Sequence, residues 1–247
     1  MSNFVFYDFE TSSSNKSWGQ IIQIGAILTN DNLEELDRYE ARCRLSPGII
    51  PEAMSLIVNK SSPQILKTSN LSHYQMIRQF VETLKRWGKA TYIGFNSIEF
   101  DEEFLRCTLF QTLEYPYITS TNGNTRGDVL SLARAANLYY PNTLKNSVNE
   151  KGNDVYKLDQ MAPLNGIDHG DAHSAIGDVI ATVGIAKLIA KNGCEFSTRY
   201  FSEFIVSKSL NETSRSFPEA FFKASFILGN VLLTVSLKNV VTLSNAI

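Results

Sequence analysis

Asn3-Phe4-Val5-Phe6-Tyr7-Asp8-Phe9-Glu10 is the stretch on which the reading of this chain turns. Phe4 to Tyr7 is apolar at odd and even positions alike, the pattern of a strand covered on both faces. Residues two apart on a strand point to the same side, so Asp8 and Glu10 aim two carboxylates at one point. Two such groups repel and lose hydration, and they need a cation or shared protons. The alternative is a polar strand end turning into Thr11-Ser12-Ser13-Ser14. Further carboxylates decide between the two.

Working outward, Gln20 to Thr29 reads as a second strand, and Asn30-Asp31-Asn32 turns into a third over Leu33 to Leu45. Pro51 to Leu66 reads as irregular or briefly helical. Ser72 to Lys89 is a helix with Met76, Ile77, Phe80, Val81 and Leu84 on one stripe and Gly88 at its end. Thr91 to Phe95 is a short buried strand, followed by a helix over Asp101 to Leu113. A loop over Thr119 to Gly127 leads into a helix over Asp128 to Asn137. A polar connection, Pro141 to Asp154, precedes a short helix at Lys157 to Asn165. The helix Ala172 to Lys191 has Asp171 as candidate N-cap and Gly193 as its stop. Strands first, then strand and helix in alternation, predict an α/β fold: a mixed sheet flanked by helices.

Two more acids join the first pair. Asp101 follows the buried strand at the start of a helix, where active-site residues of α/β folds collect. It serves equally as a charge complementing the helix dipole, as Glu102 and Glu103 do. Asp178 shares a helix stripe with Ala175, Ala181, Thr182, Ile185 and Ile189. An unpaired carboxylate there costs several kcal/mol unless neutralised. A salt bridge to Arg134 or Lys187 is the other way to neutralise it. Gly177 and Gly184 keep this helix slim enough for close packing on a sheet. His173 lies well round the helix from Asp178 and reaches a site there from the rim, as suits a general base. His169 and His73 read as surface residues.

Composition bounds the function classes. The 247 residues hold one large domain or one and part of a second. A net charge of -2 offers no broad electrostatic grip on nucleic acid, which weighs against a passive binding module but not against a metal enzyme. Cys43, Cys107 and Cys194 are scattered, which points to reduced thiols in a cytoplasm-like compartment. The N-terminus carries no secretory pattern, and the apolar stretch around Phe226 to Leu237 is too short and polar to span a bilayer. A soluble cytoplasmic protein is expected, with no membrane partner.

Phe6-Tyr7-Asp8-Phe9-Glu10-Thr11, Gly94-Phe95-Asn96 with Phe100-Asp101, and His173 with Asp178 resemble the three motifs of the DEDDh (DnaQ-like) exonuclease superfamily. The exonuclease I branch is the nearest likeness, through Glu114-Tyr115-Pro116-Tyr117, Arg126 to Leu130 and Asn165 to His169. The resemblance runs from about Phe4 to Lys191 and implies a ribonuclease-H-like fold. It also implies two Mg²⁺ ions, replaceable by Mn²⁺, held by Asp8, Glu10, Asp101 and Asp178. It makes His173 the residue that activates the attacking water, and places Thr11 near the terminal nucleotide. Asp128 matches a family position and is also explained as a helix cap.

The implied activity is 3′→5′ hydrolysis of single-stranded DNA to nucleoside 5′-monophosphates, a DNA-repair type of nuclease. An exoribonuclease, or a weakly catalytic nucleic-acid-binding fold-mate, is the alternative. Single-stranded-DNA-binding protein is the protein partner that the family implies. Members of this branch continue through an SH3-like and a helical domain. Residues 1–193 are therefore read as the exonuclease domain. Residues 194–247 read as a short incomplete C-terminal extension, the start of a second, SH3-like domain. That extension includes helical patterns at Tyr200–Ser209 and Phe217–Ser225 and a strand pattern at Leu233–Lys238.

Overall fold

In a computed structural model, which describes residues 3–168 and 174–192, the opening stretch is strand β1 (Asn3–Thr11), at the centre of a five-stranded sheet. β2 (Ile21–Thr29) pairs with it antiparallel, and β3 (Glu35–Arg42) pairs antiparallel with β2 at one edge. On the other side β4 (Ala90–Gly94) runs parallel to β1, and β5 (Thr125–Asp128) parallel to β4. The strand order is β3-β2-β1-β4-β5.

Two helix layers explain why β1 is apolar on both faces. Val5, Tyr7 and Phe9 pack with Met76 and Phe80 of α3 (His73–Trp87) and with Phe104 and Leu105 of α4 (Asp101–Gln111). Phe4 and Phe6 point the other way, onto Val129 and Leu132 of α5 (Val129–Tyr139) and Val179 and Val183 of α7 (Ala175–Asn192). Each fully buried aromatic of this kind contributes about 2–3 kcal/mol. Alternation then places Asp8 and Glu10 on the face of Phe4 and Phe6, the face that α7 covers.

Local chemistry sets the helix ends. Ser72 and Gln75 form a reciprocal capping box at the start of α3, and Gly88 ends it at φ 76. The Oγ of Ser174 accepts the Gly177 amide at 3.2 Å, so Ser174 caps α7 where Asp171 was expected to. Two short helices, α1 (Ala53–Val58) and α2 (Pro63–Thr68), fill the region read as irregular or briefly helical. The short helix expected at Lys157–Asn165 forms as α6 (Leu158–Leu164).

Three differences from the sequence reading have physical causes. The Asn30 side chain accepts the amides of Asn32 and Glu34, which prolongs the turn and delays β3 to Glu35. Thr119–Gly127 is not all loop: its end is β5, whose Arg126 and Gly127 show no apolar alternation and which is held by pairing to β4. The connection Pro141–Asp154 contains a hairpin of β6 (Ser147–Val148) and β7 (Asp154–Val155), turned by the Asn149 side chain and by Gly152 at φ 79.

His73 is also not a plain surface residue. It is half-buried, its Nε2 is shut away from solvent without a hydrogen-bond partner, and burial lowers its pKa to about 4. Among the described residues, no helix is long and apolar enough to cross a membrane. His169, Asp171, His173 and the extension from 194 onward lie outside the described residues.

Candidate active site

The carboxylates of Asp8, Glu10 and Asp178 offer ligand atoms that all lie within 4.8 Å of one another. β1 supplies the first two from alternate positions, and α7 supplies the third from its first turn. Around Asp178 the helix is buried as its stripe predicts: Ala175, Ala181, Thr182, Ile185 and Ile189 are all inaccessible or nearly so. Neither proposed salt-bridge partner is suitably placed. Arg134 lies over the Tyr156 ring, 5.8 Å from its centroid. Lys187 is exposed and nine residues along the helix, a rise of about 13 Å.

Gly25 of β2 makes this meeting possible. It is paired with Asp8 in the sheet, and a Cβ on it would lie 2.5 Å from the Ala175 carbonyl carbon and the Ile176 nitrogen. The start of α7 therefore sits directly on the sheet beside Asp8. Gly184, read as a close-packing position against the sheet, instead receives the side chain of Ile167.

Asp101 opens α4, is 5% exposed and lines the same cleft as the trio. The walls of that cleft are Phe9, Val58, Phe95, Asn96 and Phe100. Phe9 and Tyr92 are buried in the core, Phe9 with an edge on the cleft, whereas Phe95 and Phe100 are only partly buried and face the cleft. A second cleft adjoins at Phe9, Glu10, Val58 and Phe100 and is bordered by Thr11, Ser13, Glu52, Met54 and Asn59. Thr11 is buried, and its hydroxyl donates to the Ser13 carbonyl at 2.9 Å.

Electrostatics give the cluster its character. Burial, then the charges of Asp101, Asp178 and Glu10, push Asp8 well above the usual carboxylate range. Burial also raises Asp101, against hydrogen bonds from the backbone amides of Phe9 and of Asp101 itself. Burial and Asp178 carry Glu10 up to about 7, with Arg42 and Asn59 opposing. Acids crowded in this way are suited to a hard divalent cation, which would relieve the repulsion.

Two supporting residues, Glu102 and Asn59, escaped the sequence reading, as did part of what Asp128 does. Glu102, read as a helix-dipole charge, is 4% exposed and accepts from the hydroxyls of Tyr7 and Thr119 and from Arg126. Asp128 does cap α5, accepting the Leu130 amide at 2.9 Å. It also accepts the amide of Asn96 at 2.9 Å and that of Ile98 at 3.4 Å, which holds the loop leading to Asp101. Asn96 bends that loop at φ 61. Asn59 reaches β1 from α1, donating to the Thr11 carbonyl at 3.1 Å. No local pattern marks Glu102 or Asn59, because their partners are distant in sequence.

Residues 5–186 match the RNase T exonuclease family. The chain belongs to that family. Among its relatives, exodeoxyribonuclease I of Buchnera aphidicola subsp. Acyrthosiphon pisum is 31% identical over 212 residues, which cover 85% of this chain and 50% of the relative. The structure of E. coli exonuclease I in complex with a dT13 oligonucleotide superposes with a TM-score of 0.75 at 23% identity, over 82% of this chain and 43% of that one. A structure of SSB/exonuclease I in complex with the inhibitor CFAM gives 0.74 at 22% identity, over 82% and 44%. These structural likenesses establish the ribonuclease-H-like exonuclease fold that the motifs implied. The chain spans about half the length of the relatives it matches.

Proposed function

We propose that this chain is a divalent-metal-dependent 3′→5′ exonuclease that hydrolyses single-stranded DNA to nucleoside 5′-monophosphates. The observation that carries the reading is the convergence of Asp8, Glu10 and Asp178 on one point, with Asp101 on the same cleft, in a member of an exonuclease family. These four residues would hold two Mg²⁺ ions, or Mn²⁺ in their place. Bound there, such ions polarise the scissile phosphate and lower the pKa of a bound water.

The chain's own residues do the rest. His173, five residues before Asp178, takes the proton of the attacking water as general base. The water oxygen joins phosphorus and the P–O3′ bond breaks, its electron pair passing to the 3′ oxygen. That oxygen takes a proton from solvent as the new strand end, and the terminal nucleotide leaves as a 5′-monophosphate. Thr11 stands beside the terminal nucleotide, its place fixed by its bond to Ser13. Phe9, Phe95 and Phe100 give the cleft an apolar wall against which a base can stack. Single-stranded DNA is preferred as the substrate because a structural neighbour holds dT13.

In the same reading residues 1–193 form the exonuclease domain and 194–247 an extension of it. The protein works in the cytoplasm, with single-stranded-DNA-binding protein as a partner.

The test is digestion of end-labelled single-stranded DNA, duplex DNA and RNA by the protein and its Asp8→Ala variant, with Mg²⁺, Mn²⁺ or EDTA. Stepwise shortening from the 3′ end of single-stranded DNA is expected, abolished by EDTA and by the substitution. Undiminished digestion by a pure Asp8→Ala protein overturns the reading, and faster digestion of RNA reassigns the substrate.

A further inference from the structure

The geometry points to Asn59 and Arg42 as positioning residues that hold the Glu10 carboxylate on the cation site, an inference that rests on the metal centre proposed above. Glu10, Gln23 and Arg42 form one row across β1, β2 and β3, because Glu10 pairs with Gln23 and Gln23 with Arg42. The Arg42 guanidinium donates to Gln23 Oε1 at 3.0 Å and to Ser61 Oγ at 3.0 Å. Ser61 in turn donates to the Asn59 carbonyl at 3.3 Å. The row on the sheet and the end of α1 are thus one connected network beside Glu10.

Asn59 closes the network. It is 3% exposed; its amide group donates to the Thr11 carbonyl at 3.1 Å and lies near enough to the Glu10 carboxylate to favour its charged form. The β1–β2 register slips between Glu10 and Thr11, so the regular ladder stops supporting β1 just where the carboxylate must be aimed. A side-chain donor on Thr11, next to Glu10, restores that support. Turning the amide over would set its oxygen against the Thr11 carbonyl, so its orientation is fixed.

The Oδ1 of Asn59 is buried without a hydrogen-bond partner. An orphaned buried oxygen is a poor choice for stitching a helix to a sheet, where an apolar side chain would serve. It is an acceptable cost if the amide must donate to an anion. Arg42 adds the positive charge that acts on the same carboxylate. Groups that orient a metal ligand in this way typically change metal affinity by 10–100-fold when removed.

The experiment is Mn²⁺ titration by calorimetry on the full chain, with Asp8→Ala, Asn59→Ala, Asn59→Asp and Arg42→Gln. It is paired with kcat and KM for a single-stranded oligonucleotide across Mn²⁺ concentrations. Asn59→Ala should weaken Mn²⁺ binding by roughly tenfold. Its kcat should recover at saturating Mn²⁺, with the oligonucleotide KM unchanged within about twofold. Asn59→Asp, which sets a like charge beside Glu10, should bind more weakly still.

A purely structural role would lower the unfolding temperature and leave the metal titration where it was. If Asn59→Ala does not fold, Arg42→Gln at the sheet edge decides, with the same expectation in smaller degree. Wild-type Mn²⁺ affinity in the folded variants overturns the inference while Asp8→Ala still loses binding. Should Asp8→Ala bind Mn²⁺ as tightly as the wild type, the metal-centre reading fails, and this inference falls with it.

Discussion

Gly25 lies beneath Ala175 with no room for a methyl group between them: a Cβ on the glycine would come within 2.5 Å of the Ala175 carbonyl carbon. Because Gly25 is the sheet partner of Asp8, this contact sets the distance from β1 to the helix that carries Asp178.

Gly25→Val therefore should lift the start of α7 and draw Asp178 away from Asp8 and Glu10. Overpacking of this kind costs about 1–3 kcal/mol, and the loss of nuclease rate in the folded protein should exceed tenfold. Urea unfolding and initial rates on the same preparation check it. A variant as active as the wild type would show that α7 can move without disturbing the site.

Removing one acid should stabilise the metal-free protein. Asp8 is pushed up by burial and by three neighbouring carboxylates, so in EDTA at pH 7 Asp8→Asn should be more stable by roughly 1–3 kcal/mol. Excess Mn²⁺ should reverse the order, since a ligand at 100 times its Kd adds about 2.7 kcal/mol to the form that binds it. Melting curves with EDTA and with Mn²⁺ give both signs.

His73 gives a pH dependence. Its pKa in the folded chain is about 4, against 6.5 when unhindered. Between these values the unfolded chain binds more protons, so the stability linked to His73 is full above pH 6.5 and is lost as pH falls towards 4. Relative to His73→Leu, the wild type should lose about 1–2 kcal/mol between pH 7.5 and pH 5. Equal losses in the two proteins by urea titration would place the titration elsewhere.

Glu102→Ala should destabilise without touching the chemistry directly. It leaves the hydroxyls of Tyr7 and Thr119 without their acceptor in the interior, at a cost of about 2–4 kcal/mol. Arg126 is partly exposed and recovers hydration. The folded fraction should retain a KM for oligonucleotide near the wild-type value. Glu102→Gln, which keeps an acceptor, should cost less.

What could be read in the sequence followed from periodicity and unbalanced charge. Apolar residues on both faces of β1, acids at alternate positions where that pattern ends, and an acid on the apolar stripe of α7 are local facts. They determined the element types and picked out Asp8, Glu10 and Asp178 as groups in need of a partner. Strand β5 escaped because pairing with β4 holds it, and its own side chains carry no alternation. The capping role fell to Ser174, whose hydroxyl meets the N3 amide directly.

The tertiary structure alone decided which groups meet. Glu102 accepts from a residue 95 positions away, and Asn59 donates to one 48 positions away. The place of α7 depends on a glycine in β2. Periodicity records which face of an element is buried and carries no information about what covers it. Whether two carboxylates stand within reach of one cation depends on backbone contacts between elements far apart in the chain. The sequence by itself determined that these acids needed neutralising, and the packing of α7 on Gly25 decided where they come together.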